Sequence, residues 1–189
     1  MSTIITSRLV LRPLRASDAE AIQEHFPHWE IVQHLGDKIP WPYPPDGASQ
    51  FVAIRLKKIE TSQDESWAIT LKGCDELIGL VDYVADDDEA GNRGFWLGQQ
   101  WWGKGYMTEV AEAFHFYAFE FLKLEKLTFV NAVNNPSSKR IKEKTGAIHV
   151  GMTRLRHLDG VEESDKWELT ASQWRKNFDR ARNTPVIQP

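Results

Sequence analysis

The hydrophobic period of this chain changes once between Trp67 and Phe121, and a pair of glycines stands at the change. Before it, residues 67–71, 76–84 and 93–97 form short apolar, β-branched and aromatic runs with polar turns between them, the pattern of antiparallel hairpins. After it, Met107, Ala111, Phe114, Ala118 and Phe121 recur at helical spacing, and Phe116 and Phe119 widen the apolar face. Such a helix has to be covered on more than one side. Hairpins feeding one long buried helix restrict the chain to a mixed α/β sheet with helices packed across it.

The flanks fit that plan. Residues 8–12 alternate polar and apolar, as a half-buried strand does. Ser17-Asp18 predicts a cap for a helix over 19–26, and a short helix around 29–35 is expected to end at Gly36. The prolines in 39–45 force an extended loop, after which a helix is expected over 48–59. Residues 127–133 read as a strand. Asn135-Pro136 opens a helix, with Asn as N-cap and Pro at its first position, and Gly146 closes it. Strands around 148–158 and 166–169 flank the Asp159-Gly160 turn, and a short helix containing Trp174 follows. With no repeat or long linker, residues 1–180 are expected to form a single domain and 181–189 a tail.

The stretch Gln100-Trp101-Trp102-Gly103-Lys104-Gly105-Tyr106 has a physical use where it stands. Glycine lets a backbone turn tightly and approach a ligand with no Cβ in the way. The free N–H groups of the following helix's first turn converge there, reinforced by the positive end of the helix dipole. The result is an anion site suited to a diphosphate, to which Lys104 could add charge and Thr108 a hydroxyl. The spacing excludes a P-loop, and a Rossmann turn needs a third glycine earlier in its domain.

Composition narrows the function. The 189 residues are 41% hydrophobic and 26% charged, with a net charge of −4 and no polybasic tract, which argues against nucleic-acid binding. No apolar run approaches the ~20 residues of a membrane span. The N-terminus lacks a signal-peptide layout, and the single cysteine, Cys74, lies in an expected hairpin turn, so a cytoplasmic setting is expected. The histidines lack zinc-ligand spacing, and no metal is expected. The acidic run Asp86-Asp87-Asp88-Glu89 reads as a solvated loop, with steering of a cationic acceptor as the alternative.

Several ordered motifs together resemble the GNAT acetyltransferases, nearest to the branch containing the ribosomal-protein N-terminal acetyltransferases. Gln100, Gly103 and Gly105 match the Gln/Arg-x-x-Gly-x-Gly/Ala signature, Asn135 and Ser138 the Asn-x-x-Ser element, and Lys144 and Gly146 the Lys-x-Gly helix end. Ser7-Arg8-Leu9-Val10-Leu11-Arg12 and Trp167-Glu168-Leu169 extend the resemblance over residues 7–178. It implies an α/β (α+β) fold whose mostly antiparallel central sheet has about seven strands. That sheet is expected to splay at a site for acetyl-coenzyme A (acetyl-CoA) and to carry a bulge there. Pantetheine would pair with backbone near Leu97 and Gly98. The cofactor contacts implied are Leu97, Gly98, Gln100, Trp102, Gly103, Lys104, Gly105, Tyr106, Met107, Thr108, Asn131, Asn135 and Ser138. A backbone N–H at the thioester carbonyl would favour the tetrahedral oxyanion.

The resemblance also frames proton transfer. Many relatives place a tyrosine acid where this chain has Lys142. Ser138 takes that role in the ribosomal-protein branch and is the expected acid, with helix capping or a coenzyme A contact as its other reading. His157 stands where relatives carry a glutamate and is the expected base, its ordinary pKa being ~6.5. Its other readings are a surface histidine beside a hairpin, or a water chain doing the same work. The acceptor groove is expected along 39–45, with Trp29, Trp41 and Tyr43 offering aromatic faces to an amine or peptide, or else packing the loop. The expected activity is acetyl transfer to a primary amine, on a peptide N-terminus or a small molecule, by a monomer or homodimer. The competing function is a non-catalytic acyl-CoA-binding module, for which Ala147 in place of the family's usual phenylalanine and Lys142 in place of its common tyrosine leave room.

Overall fold

The computed structural model describes residues 1–85, 91–178 and 184–189. Two short N-terminal strands, β1 (Thr3–Ile5) and β2 (Leu9–Pro13), lead through a 3-10 turn (Ala16–Asp18) into α1 (Ala19–His25). Helices α2 (Trp29–Val32) and α3 (Gly47–Thr61) precede three strands, β3 (Glu65–Leu71), β4 (Leu77–Tyr83) and β5 (Arg93–Leu97). The long helix α4 (Tyr106–Glu120) follows, then β6 (Lys126–Ala132), α5 (Pro136–Lys144), β7 (Ile148–Arg154), β8 (Glu163–Thr170), α6 (Ala171–Asn177) and β9 (Val186–Gln188).

The strands form a six-stranded sheet, β5-β4-β3-β2-β1-β9, and a three-stranded one, β6-β8-β7. Nine described strands therefore replace the expected seven or so. One of them, β9, pairs with β1 from within the stretch expected to be a tail. Successive residues of β3 face opposite cores: Trp67 and Ile69 join α4, while Ala68 joins α1–α3. Both faces of the larger sheet are thus covered, which explains its near-continuous burial.

Helix α4 buries Met107, Val110, Ala111, Phe114, Ala118 and Phe119 at helical spacing. Phe121, expected on that face, lies at the helix C-cap, where it is half exposed and stacks on Tyr117 at 5.7 Å. The alternation expected of 8–12 breaks at Arg12, which turns inward onto Asp18. Asp18 therefore pairs with Arg12 and accepts the Arg15 N–H, so that the 3-10 turn precedes α1. Gly36 lacks the expected left-handed cap and bridges to His157 instead. Cys74 is exposed in the hairpin turn after Gly73. The acidic run 86–89 lies outside the described residues.

Among the described residues the two sheets meet at one bridge, Gly91 with Phe129, next to a hydrogen bond from Asn92 N–H to Thr128 O of 2.9 Å. A Cβ on Gly91 would lie 2.8 Å from Thr128 O, so only glycine permits this approach. Beyond it, β5 and β6 form no ladder among the described residues, and the sheet opens between them. The expected bulge lies elsewhere. The β4–β5 register is unbroken, and the irregularities fall between β3 and β4 at Ile69/Thr70 and between β7 and β8 at His149/Gly151.

Candidate functional site

Strand β5 ends at the opening, and its last backbone groups can be accounted for in turn. Leu97 lies opposite Gly79, flanked by the hydrogen bond from Gly98 N–H to Ile78 O of 2.9 Å. Leu97 is therefore the non-hydrogen-bonded member of the ladder, and its own N–H and C=O point away from β4 into the gap. The carbonyl accepts from Trp102 Nε1 at 2.7 Å, and the Gly98 carbonyl accepts from Trp101 N–H at 3.1 Å. Pairing by Leu97 and Gly98 alike was expected. Gly98 is engaged within the protein on both sides, which leaves the Leu97 N–H for a ligand.

A 3-10 turn, Gln99–Trp101, carries the chain to the glycines, with Gln100, Trp102 and Lys104 exposed. Gly103 and Gly105 have φ of 74° and 79°, so the backbone reverses twice within three residues. Gly105 is the N-cap of α4, and no side chain caps the helix. The N–H groups of Tyr106, Met107 and Thr108, in the first turn, precede the first residue that can bond within the helix. That residue is Glu109, whose N–H reaches Gly105 O at 3.2 Å. The Met107 side chain is buried in the core, so only its backbone faces the turn. The bare helix end is a cradle for an anion.

A strap that sequence reading missed holds this cradle. Glu109 Oε1 accepts from Thr6 Oγ1 (2.6 Å), Ser7 Oγ (2.9 Å) and Arg8 N–H (2.9 Å), and Oε2 accepts from Arg8 Nε (2.7 Å). Arg8 Nη1 donates to Lys104 O at 2.9 Å, and its guanidinium lies 4.6 Å from the Tyr106 ring centre. Burial alone would raise the Glu109 pKa, but the donors from Thr6, Arg8 and Ser7 outweigh it and hold the carboxyl below its ordinary value. Its charge is thus neutralised locally rather than opposed to a bound anion. Glu109→Ala should release the turn and weaken acetyl-CoA binding about tenfold, while destabilising the fold by only about 1–2 kcal/mol because Arg8 is half exposed. Calorimetry and thermal unfolding would check the two effects.

Across the opening, α5 begins as expected. Asn135 Oδ1 accepts the Ser138 N–H at 3.0 Å, and Pro136 occupies the first turn. The Asn135 amide oxygen thus caps its own helix. Ser138 is buried and receives a hydrogen bond of 2.7 Å from Lys142 Nζ, one helical turn on. Lys142 is 1% exposed and lies 6.0 Å from the Phe95 ring centre. Burial first, then repulsion by Arg93, outweighs attraction by Asp165 and holds its pKa well below that of an ordinary lysine. Arg93 is itself buried between Phe129 (4.2 Å) and Phe95 (5.1 Å), where burial pushes its pKa down to about 9. One of its nitrogens meets His115 Nε2 at 2.8 Å, and Nε and Nη2 have no hydrogen-bond partner among the described residues. Asn131 is buried on β6, with Nδ2 donating to Ala132 O and Oδ1 without a hydrogen-bond partner among the described residues.

His157 is buried, so the surface reading is corrected: the bridge to Gly36 folds residues 33–37 over it. Its Nε2 meets Ser164 Oγ at 2.8 Å, and its Nδ1 makes no well-aligned hydrogen bond among the described residues. Burial lowers its pKa and outweighs the opposing pull of the His34 and Leu35 backbone and of Asp159. No hydrogen bond links it to Ser138, whose partners are Asn135 and Lys142. The acceptor-side aromatics divide. Trp29 and Trp41 are 40% and 41% exposed, with ring centres 5.5 Å apart. Tyr43 instead packs edge-on against Phe26 at 5.3 Å and lies partly buried against the core of α1–α3. Among the described residues no cluster of His, Cys, Asp or Glu could hold a metal ion, and no helix is long and apolar enough to cross a membrane.

A sheet that opens beside an uncapped helix N-terminus, with a strand-end N–H facing the gap, is the architecture of an acyl-CoA-dependent acetyltransferase. A family model of the acetyltransferase (GNAT) domain matches residues 8–148, and the chain belongs to that family. It is 28% identical over 142 residues to the uncharacterized N-acetyltransferase p20 of Bacillus licheniformis, covering 74% of this chain and 79% of that one. Solved structures share the fold. One is a ribosomal-protein α-N-acetyltransferase in complex with coenzyme A, at a TM-score of 0.74 and 16% identity, covering 88% of this chain and 97% of that one. Another is a chimera of the Vibrio cholerae spermidine N-acetyltransferase, at 0.75 and 18%, covering 90% and 100%. Acetyltransferases of this family draw their acetyl group from acetyl-CoA.

Proposed function

We propose that this chain transfers an acetyl group from acetyl-CoA to a primary amine by direct attack, with both substrates bound together. The observation that carries the reading is the bare first turn of α4 beside the open edge of β5. The N–H groups of residues 103–108 would hold the diphosphate, with Lys104 and Gln100 at the rim. The Leu97 N–H would hold the acyl arm and favour the oxyanion as the carbonyl becomes tetrahedral. Ser138 would give its proton to the departing sulfur, and Asn131, with its free buried Oδ1, would line the opening beyond β6. Fixing amine and thioester in one geometry supplies much of the remaining acceleration.

The acceptor is an amine, on a peptide N-terminus or a small polyamine. Its groove runs past the exposed Trp29–Trp41 pair, whose ring faces suit an ammonium or a peptide backbone. His157, buried beneath residues 33–37, would take the surplus proton of the amine through an intervening water. Its lowered pKa keeps the ring neutral and able to accept throughout the neutral range. His157→Gln should therefore lower turnover by roughly tenfold or more and remove the acid limb of the pH–rate profile, which lies below the ordinary histidine range. An unchanged profile would mean that the proton leaves to solvent without passing through His157. The function itself is tested by calorimetry with acetyl-CoA and by thiol release with N-terminal peptides, polyamines and aminoglycosides. Binding with no thiol release for any amine would make the chain a binding module, and absence of binding would remove the reading.

A further inference from the structure

We infer that Lys142 is a positioning residue for the acyl transfer proposed above, aiming the Ser138 hydroxyl at the departing sulfur and resupplying its proton. The inference rests on that reading and adds a part to it. The geometry is direct: Nζ lies 2.7 Å from Ser138 Oγ, both side chains are buried, and one turn of α5 separates them. An ammonium donates and cannot accept. While Lys142 is charged, its N–H occupies a lone pair on Oγ, and the hydroxyl proton has to point elsewhere. A neutral amine gains a lone pair that can accept the hydroxyl proton, drawing it inward and away from the sulfur, and it has no proton to resupply readily. The charge state of Lys142 thus decides whether Ser138 can act as an acid.

The surroundings make this charge state responsive. Arg93 faces Lys142 from β5 and repels its charge, and Asp165 on β8 attracts it. Arg93 is paired with His115 of α4, whose own pKa is held down by burial and then by Arg93, and Asp165 is shared with the half-exposed His149 on β7. Burial dominates, so the ammonium is lost at lower pH than in an ordinary lysine. The step balances as follows. The amine nitrogen bonds to the acyl carbon, and the carbon–sulfur bond breaks with its electron pair on sulfur. Sulfur takes the Ser138 proton, Oγ takes one from Lys142, and the amine's surplus proton leaves to the base and water. Lys142 is recharged from solvent through Ser138 once the thiol has left. The net products are amide and thiol.

The test compares wild type with Lys142→Met, Lys142→Gln, Ser138→Ala and the Ser138→Ala/Lys142→Met double variant. Readouts are kcat between about pH 6 and 10 at saturating acetyl-CoA, KM, and thermal unfolding. Lys142→Met should lower kcat by roughly tenfold to a hundredfold, leave KM for acetyl-CoA within a few-fold, and abolish the alkaline limb. It should also melt higher, because a buried charge has become apolar, whereas a merely structural lysine would lose stability on removal. Lys142→Gln keeps a donor that cannot titrate, and should recover part of kcat with a flat alkaline side; if the methionine variant does not fold, this profile decides. The double variant should be no slower than the slower single one. A wild-type alkaline limb in either Lys142 variant, or deficits that multiply in the double, would overturn the relay while leaving the acetyltransferase reading intact. A wild-type chain that binds no acetyl-CoA overturns both.

Discussion

Gly105→Val should weaken acetyl-CoA binding about a hundredfold without preventing the chain from folding. The effect stems from the backbone. Gly105 sits at a φ of 79°, a region that β-branched residues avoid, and it is the residue from which α4 starts. The protein leaves room for a side chain, since the nearest atom to an added Cβ is the flexible end of Arg8 at 3.5 Å. Valine can therefore be accommodated in two ways, and both damage the cradle. Either φ is kept, at a cost of about 1–3 kcal/mol, with a branched side chain in the space meant for the diphosphate. Or φ relaxes, and the Tyr106, Met107 and Thr108 N–H groups no longer converge. Gly103→Ala, at a φ of 74° with nothing within 4 Å, should cost less, about tenfold. Gly73→Ala has a φ of 84° in the hairpin between β3 and β4, and serves as the control: similar strain, unchanged affinity. Calorimetry on the three variants separates the outcomes. Equal affinity of Gly105→Val and wild type would place the diphosphate away from this turn.

What could be read from the sequence was local. The glycine turn, the start of α4, and the Asn135 cap with Pro136 behind it each depend on residues within one helical turn, and each stands where the pattern puts it. The strap did not show, although Glu109 was in plain view within the turn motif. Its four partners come from residues 6–8, about a hundred positions away, and nothing in a glutamate near a helix start says which distant hydroxyls will reach it. Gly36 had the composition of a helix cap and became a bridge, because the loop that meets it is brought over by the β7–β8 hairpin. Tyr43 was grouped with Trp29 and Trp41 by its proline-rich neighbourhood. Packing separated them, sending Tyr43 inward to Phe26 and leaving the two tryptophans in solvent.

Burial was the least legible property at the site, and it bears most on the chemistry. Lys142 lies on a helix where Lys139, Arg140, Glu143 and Lys144 are solvated or at the surface, so its neighbours suggest an exposed lysine. It is covered where α5 packs Lys142 near Phe95 and Arg93, which the sequence places more than forty positions upstream. The i, i+4 spacing of Ser138 and Lys142 was available from the sequence, and it becomes informative only with the knowledge that both side chains face inward. His157 shifted in the same direction, from a hairpin surface to a buried ring.

Arg12→Met should be the most destabilising single substitution in the early helical layer, lowering unfolding free energy by about 3–5 kcal/mol. Arg12 and Asp18 form a two-pronged pair, Nη1 to Oδ2 at 2.9 Å and Nη2 to Oδ1 at 2.7 Å, and both side chains are almost wholly buried. The pair ties β2 to the entrance of α1. Methionine reproduces the apolar stem of arginine, so little packing is lost; the cost is the Asp18 carboxylate, left buried with the Arg15 N–H at 2.7 Å as its remaining donor among the described residues. Asp75 is a different case, although it accepts from Arg12 Nε at 2.6 Å, because it is mostly exposed. Asp75→Asn should therefore change stability little. Hydrogen bonding by Arg12 holds the Asp75 carboxyl below its ordinary pKa. Its small contribution is present above the unfolded-state pKa and fades as pH falls through the lower folded value, so that Arg12→Met should flatten this acid dependence. The decisive measurement is urea unfolding of Arg12→Met beside Arg12→Met/Asp18→Leu. Removing both charges should recover most of the lost stability, since two apolar side chains can fill the site an ion pair occupied. If the double variant is no more stable than Arg12→Met, the cost lies in packing rather than in a stranded charge.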